Sequence, residues 1–319
     1  MLLALSPYHL TTREPAAMAA IQLAERLVTL IPTPAAMGDP VAVQAAAEHV
    51  PRFVELIETW RWSSPLWDAG LIASGFEGDD ARADVSEVYS EIQTDPGLAD
   101  LCAMLPTRGP GTDEAQLDAI ARDLLRAGPD PTISIPVAAG LDRFGARHGL
   151  IAVRASGHSM AQRAEASLST SRFRCAIPVL TQASAPRLLE LRAALLPELE
   201  ELRAAIRAVM IEECTDEVRQ AAAAYTDAFE REREDLLRTE DDDTKPKVRC
   251  EMVVIEGVEL PLDAVLRSSV TAARRARGRK SPAPGSNGVG LGSADLNVGD
   301  LDMSGRSTCL GLVVRVLGR

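Results

Sequence analysis

The residues best suited by type to do chemistry gather in one segment, His148-Gly149-Leu150-Ile151-Ala152-Val153-Arg154-Ala155-Ser156-Gly157-His158-Ser159. It sets imidazoles, hydroxyls and a guanidinium around a short apolar run. An imidazole activates a serine by taking its proton, and a carboxylate such as Asp142 would fix the imidazole tautomer. His148, Ser156, His158 and Ser159 are therefore the catalytic candidates, for hydrolysis or group transfer on a small molecule. Neither serine has glycines two residues away on both sides, so a nucleophile elbow is absent. The plainer expectation makes His148 a helix-end residue beside terminal carbonyls and His158 a loop or cap residue.

A second group is Asp241, Asp242 and Asp243, with Glu240 or Glu251 near in sequence. Hard divalent cations take oxygen ligands from a fixed loop. The calcium-loop spacing is missing, and consecutive carboxylates before Lys245-Pro246 read as a solvated turn, so no metal is expected. The four histidines, His9, His49, His148 and His158, show no zinc signature. No Gly-x-Gly-x-x-Gly follows a strand and no Gly-Lys-Ser or Gly-Lys-Thr occurs, so no cofactor is expected either.

Two further clusters suit contact rather than catalysis. Trp60, Trp62 and Trp67 are all the tryptophans of the chain and could anchor a protein interface. Core filling competes, because large side chains are scarce elsewhere. Arg274, Arg275, Arg277, Arg279 and Lys280 form a basic run that could meet an acidic surface. A helix C-terminus running into a solvated linker explains it as well.

Composition bounds these options. The 319 residues carry a net charge of −12 and are 46% apolar but only 3% aromatic. The core must therefore rest on Ala, Leu, Val and Ile, and an aromatic base-stacking platform is excluded. Residues 1–130 hold 20 acidic and 8 basic side chains, whereas residues 131–319 hold 26 of each. An acidic surface repels nucleic acid and anionic lipid, so no nucleic-acid partner is expected. The five cysteines are scattered and odd in number, which predicts reduced thiols and a cytoplasmic setting. No apolar run reaches the length of a transmembrane segment.

The elements that must position these groups follow from periodicity. Leu2–Leu5 is a candidate strand and Glu14–Leu30 a helix, with Met18, Ile21, Ala24 and Val28 on its apolar face. Helical patterns follow from residue 40 to 59, near Asp80–Gln93, near Gly97–Met104 and from Thr112 to Ala127. Thr132–Val137, Leu150–Val153, Phe173–Leu180, Val248–Ile255 and Leu310–Leu317 read as strands, with a helix from Leu260. The stretch Ser184–Arg238 carries an apolar seam of Leu188, Leu195, Leu199, Leu202, Ile206 and Val209. Met210, Cys214, Val218, Ala221, Tyr225 and Phe229 continue it after a slip of register. Pro197 must kink this helix or open a second one. One long helix, a coiled-coil arm and a broken hairpin all remain open.

The expected fold is α+β or irregular α/β and mostly helical. Residues 1–128 are expected to form an acidic all-helical domain. Residues 129–280 are expected to hold a small sheet packed by the long helix 184–238. A flexible linker at 281–308 would lead to a terminal strand at 309–319, docked on its own or a neighbouring sheet. Such a chain reads first as a noncatalytic scaffold or adaptor acting through a protein partner or homo-oligomer. The alternative is a small-molecule hydrolase or transferase with its site near residues 148–159.

Overall fold

The computed structural model describes residues 1–30, 51–75, 79–96, 121, 125, 135–155, 168–212, 215–238, 249–263, 265–269 and 308–317. These form nine α-helices and one mixed seven-stranded sheet. The strands are β1 (Leu2–Leu5), β2 (Arg26–Thr29), β3 (Ile72–Ser74), β4 (Ile151–Ala155), β5 (Thr170–Leu180), β6 (Cys250–Pro261) and β7 (Thr308–Val316). Their order across the sheet is β3-β2-β1-β4-β7-β6-β5. Neighbours from β3 to β7 are parallel, while β6 runs antiparallel to both β7 and β5.

The helices are α1 (Pro7–Thr12), α2 (Pro15–Leu23), α3 (Pro51–Trp60), α4 (Ser64–Asp68), α5 (Asp79–Thr94), α6 (Ile135–His148), α7 (Ala185–Ala194), α8 (Leu196–Glu212) and α9 (Thr215–Arg238). The chain winds outward from β1 through β2 to β3, then returns to the other side of β1 at β4. Parallel crossovers are right-handed, so this reversal sends α2, α3 and α4 to one face and α5 and α6 to the other. On the α6 face, a Cβ on Gly145 would touch Ala4, and Asp142 reaches Arg154 of β4.

Helix α2 is the centre of the molecule. Every residue from Ala16 to Leu23 is buried, which requires a helix apolar all round. Four alanines in nine residues let it lie close to its neighbours, so a chain poor in aromatics still closes its core. Its carboxyl end is unusually well satisfied. Arg192 of α7 donates to the carbonyls of Ile21 at 2.6 Å and Gln22 at 2.8 Å. Arg203 of α8 donates Nε to Leu23 O and Nη2 to Ala24 O. Together they satisfy the carbonyls that no further helical turn can reach, and their charge suits the negative end of the dipole. Burial, reinforced by the neighbouring Arg203, lowers Arg192 to about 10.

Several expectations need correction. Residues 1–128 are not all-helical, because β1, β2 and β3 lie within them and join one sheet with strands from 151 to 316. The helix expected at Glu14–Leu30 stops at Leu23, and Arg26–Thr29 is strand β2. Ala24 turns extended at φ −64°, ψ 146° without any glycine or proline to mark the change. Ile135–Val137 belongs to α6 rather than to a strand, with Pro136 in its first turn. The 184–238 stretch is three helices, not one. Pro197 falls in the first turn of α8, where a missing N–H costs nothing, and α8 and α9 pack on each other as a hairpin. The seam residues Leu188, Leu195, Leu199, Leu202, Ile206, Val209, Tyr225 and Phe229 are all buried. Strand β7 docks on its own sheet, between β4 and β6. The expected linker at 281–308 lies almost wholly outside the described residues. Among those residues no helix is long and apolar enough to cross a membrane.

Candidate functional site

The winding reverses between β1 and β4, which singles out the region outside the carboxyl ends of these two strands. In open α/β sheets this is where connections diverge to opposite faces and leave room for a ligand. Leu5 pairs with Val153 at this point. Everything that follows Leu5 on one side and Val153 on the other is therefore a candidate wall.

The β1 wall is built from α1 and its exit. His9 is 7% exposed and its Nδ1 lies 3.0 Å from Glu14 Oε2. A tight corner lets residues five apart meet. Helix α1 ends on Arg13, which adopts the left-handed conformation at φ 49°, ψ 38°, the one non-glycine positive φ among the described residues. That conformation costs an L-residue roughly 1–2 kcal/mol. The Arg13 guanidinium lies 4.2 Å from the centroid of the Trp62 ring and donates Nη2 to Ala183 O at 3.0 Å. Burial pushes its pKa below the usual arginine range.

Polar atoms left without partners gather on the same side. Arg13 Nε, Trp62 Nε1 and Thr29 Oγ1 are buried and have no hydrogen-bond partner among the described residues. Thr29 is the last residue of β2, the strand beside β1. A buried polar group without a partner costs roughly 1–3 kcal/mol, so such groups are rare and need a reason. Asp84 Oδ2 and Asp142 Oδ1 are two more.

The β4 wall carries Arg154, one residue before the strand ends. Arg154 and Asp142 form an ion pair in which both side chains are under 10% exposed. They line a small cavity of about 50 Å³ together with Ile135, Val265 and Leu266. Asp142 therefore serves Arg154, and among the described residues it orients no histidine.

The expected site residues scatter. His148 stands at the end of α6, half exposed, with Nε2 3.6 Å from Asp80 Oδ2 and its ring 4.4 Å from that of Phe144. It is the helix-end residue of the plainer reading. Ser156, His158, Ser159, Asp241, Asp242, Asp243, Arg274, Arg275 and Arg277 lie outside the described residues. Trp60 is fully buried and donates Nε1 to Thr11 Oγ1 at 2.8 Å. Trp67 is buried and donates to Ser63 Oγ at 3.2 Å. Both are core residues rather than interface anchors, while Trp62 alone keeps an unpartnered N–H beside Arg13. Sequence spacing missed His9, Arg13, Glu14 and Thr29. The signal that finds them is positional: His9, Arg13 and Glu14 lie in the connection that follows β1, and Thr29 closes β2.

Among the described residues no group of acidic, His and Cys side chains could hold a metal ion. No known family model, curated protein or solved structure matches the chain.

Proposed function

We propose that this chain is a small-molecule enzyme of the transferase or hydrolase type, with its ligand in the crevice outside β1 and β4. The observation that carries the proposal is the coincidence of two independent features. The winding reverses at β1/β4, and unpartnered polar atoms sit in the connection after β1 (Arg13 Nε), in the connection after β2 (Trp62 Nε1) and on the last residue of β2 (Thr29 Oγ1). Strand β4, which runs through the segment 148–159 expected to hold a site, has its carboxyl end at Ala155 beside this region.

In this reading Arg13 and Trp62 supply N–H donors for an acceptor-rich, anionic part of the ligand. Thr29 supplies a hydroxyl. The His9–Glu14 pair moves a proton: the carboxylate holds the imidazole in one tautomer and stabilises the imidazolium once it forms. The connection after β1 contains no glycine before α2, so a glycine-rich phosphate cradle is not part of the recognition. The scaffold reading has less support at the residues first expected to carry it, since Trp60 and Trp67 are enclosed in the core.

The test is NMR titration of the full chain with ATP, NAD, FMN and S-adenosylmethionine, and with inorganic phosphate as the bare anion. The expected result is that at least one probe perturbs residues 5–14, 29–30 and 153–155 together. Perturbations confined to other surfaces, or none with any probe, would overturn the proposal.

A further inference from the structure

Among the described residues strand β5 ends the sheet, and its outer backbone can be followed along the strand. Thr181 N–H bonds to Arg249 O, so the odd-numbered positions face the paired strand β6. The even-numbered positions face outward. At Leu180 both outward groups are taken, because the Gln22 side chain accepts from Leu180 N at 3.0 Å and donates to Leu180 O at 3.1 Å. At Pro178 there is no N–H to present, which is how a proline is tolerated in a terminal strand. The Pro178 carbonyl, Arg174 and Ala176 remain before the register shifts between Ser171 and Phe173. Among the described residues nothing pairs with their outward N–H and C=O groups, although β5 is eleven residues long.

A groove opens at these residues. It has a volume of about 410 Å³ and lies between Arg174–Ala176 of β5 and one stripe of α9. Arg219, Ala222, Ala223 and Asp227 lie on that stripe, at helical spacing. The alanines form a shallow apolar floor. Arg174 is exposed and Arg219 is held only by a surface pair with Asp216 at 3.4 Å, which is worth little. Asp227 lies about 12 Å further along the helix, by the rise of 1.5 Å per residue. The Cys175 thiol is pushed up to about 12 by burial, so thiolate chemistry is not the purpose of the groove.

We propose that the open part of β5 is a docking site for an extended acidic peptide from a partner protein. The peptide adds as a further strand on Arg174 and Ala176, between the sheet and α9, with acidic side chains at the Arg174/Arg219 end and none at Asp227. Strand addition next to a helix supplies main-chain hydrogen bonds for affinity and side-chain pockets for specificity. A second copy of this chain is the poorer occupant. Its own β5 carries Arg172 and Arg174 and no acidic residue, so it offers no opposite charge to Arg174 and Arg219. This site is independent of the crevice at β1 and β4.

The test is selection of a random dodecapeptide display library on the immobilised full chain, followed by anisotropy with the selected peptides. Expected are peptides with acidic residues at alternate positions. Their affinity should fall about tenfold or more in Ala176→Pro and in the Arg174→Glu/Arg219→Glu pair, with melting temperature unchanged; tenfold corresponds to about 1.4 kcal/mol. Ala176→Pro is suited to this because, as at Pro178, the missing N–H faces away from β6. Failure to enrich acidic peptides, or equal binding to wild type and Ala176→Pro, would overturn the proposal. Self-association abolished by Ala176→Pro, measured by light scattering, would overturn it in favour of a second copy.

Discussion

The two ends of helix α2 treat their polar groups in opposite ways. At the carboxyl end, Arg192 and Arg203 satisfy the carbonyls of Ile21, Gln22, Leu23 and Ala24 one after another. At the amino end, Arg13 sits in a strained left-handed conformation with Nε unpartnered, and Trp62 stacks on it with its own N–H unpartnered. Both ends use arginines that are at least partly buried in the same low-aromatic core. On the proposal made above, the difference separates frame from site. Polar groups that only hold a fold together are fully paired, because each unpaired one weakens it. Polar groups reserved for a ligand are left with capacity to spare.

The largest expected effect lies at the frame end. Arg203→Met strips donors from two buried carbonyls and should cost about 3 kcal/mol, taking roughly 1–3 kcal/mol for each unsatisfied group. Urea unfolding measures it. A loss under about 1 kcal/mol would break the comparison, because the paired end would then matter no more than the unpaired one.

Thr29→Val tests the site end. The hydroxyl has no partner among the described residues, and valine keeps the shape, so stability should rise or stay within about 1 kcal/mol. A clear loss in the melting curve would mean that Thr29 belongs to the frame. Binding of whichever probe perturbs the crevice should weaken in the same variant.

A smaller effect concerns Glu25, just after α2. It pairs with the Met1 amino group at 2.5 Å and with Arg207 at 2.7 Å. The hydrogen bond to the amino terminus lowers its pKa, outweighing partial desolvation, and Arg207 adds to the lowering. A depressed carboxylate stabilises the fold above its unfolded pKa, and that stability is lost as pH falls through the folded value. Because Glu25 is 43% exposed, screening limits the effect. Glu25→Gln should be less stable than wild type at neutral pH by under about 1 kcal/mol, and the two should converge in acid. A gap that persists unchanged at low pH would show that packing, not charge, separates them.

How much of this was legible in the chain depends on what each element announces. Strands β1, β4, β5, β6 and β7 were readable because each is an apolar run with β-branched or apolar neighbours. Strand β2 was hidden, since Leu27 and Leu30 extend the helical face of Leu23 and no glycine or proline separates them. Three-residue β3 is too short to show a period. The seam of 184–238 revealed burial correctly, but only the structure shows that it divides into α7, α8 and α9, with α8 and α9 packed on each other. The candidate site was least legible. His9 and Glu14 meet because Arg13 turns the chain in a conformation that arginine rarely adopts, and no spacing rule anticipates that. Arg154 and Asp142, twelve residues apart, read from the sequence as parts of a catalytic arrangement. Their mutual pairing needed α6 to fold back on β4. Gln22 carried no sequence signal, yet it closes the edge of β5 at Leu180 and so defines what stays open.

The most direct measurement compares the two ends in one experiment: urea unfolding of Arg13→Gly beside Arg203→Met. Glycine relieves the left-handed strain and removes the unpartnered Nε, offsetting the lost stacking and the lost bond to Ala183 O. Arg13→Gly should therefore stay within about 1 kcal/mol of wild type while Arg203→Met loses about 3 kcal/mol. Equal losses in the two variants would contradict the assignment, making Arg13 a structural arginine and the crevice beside it part of the frame.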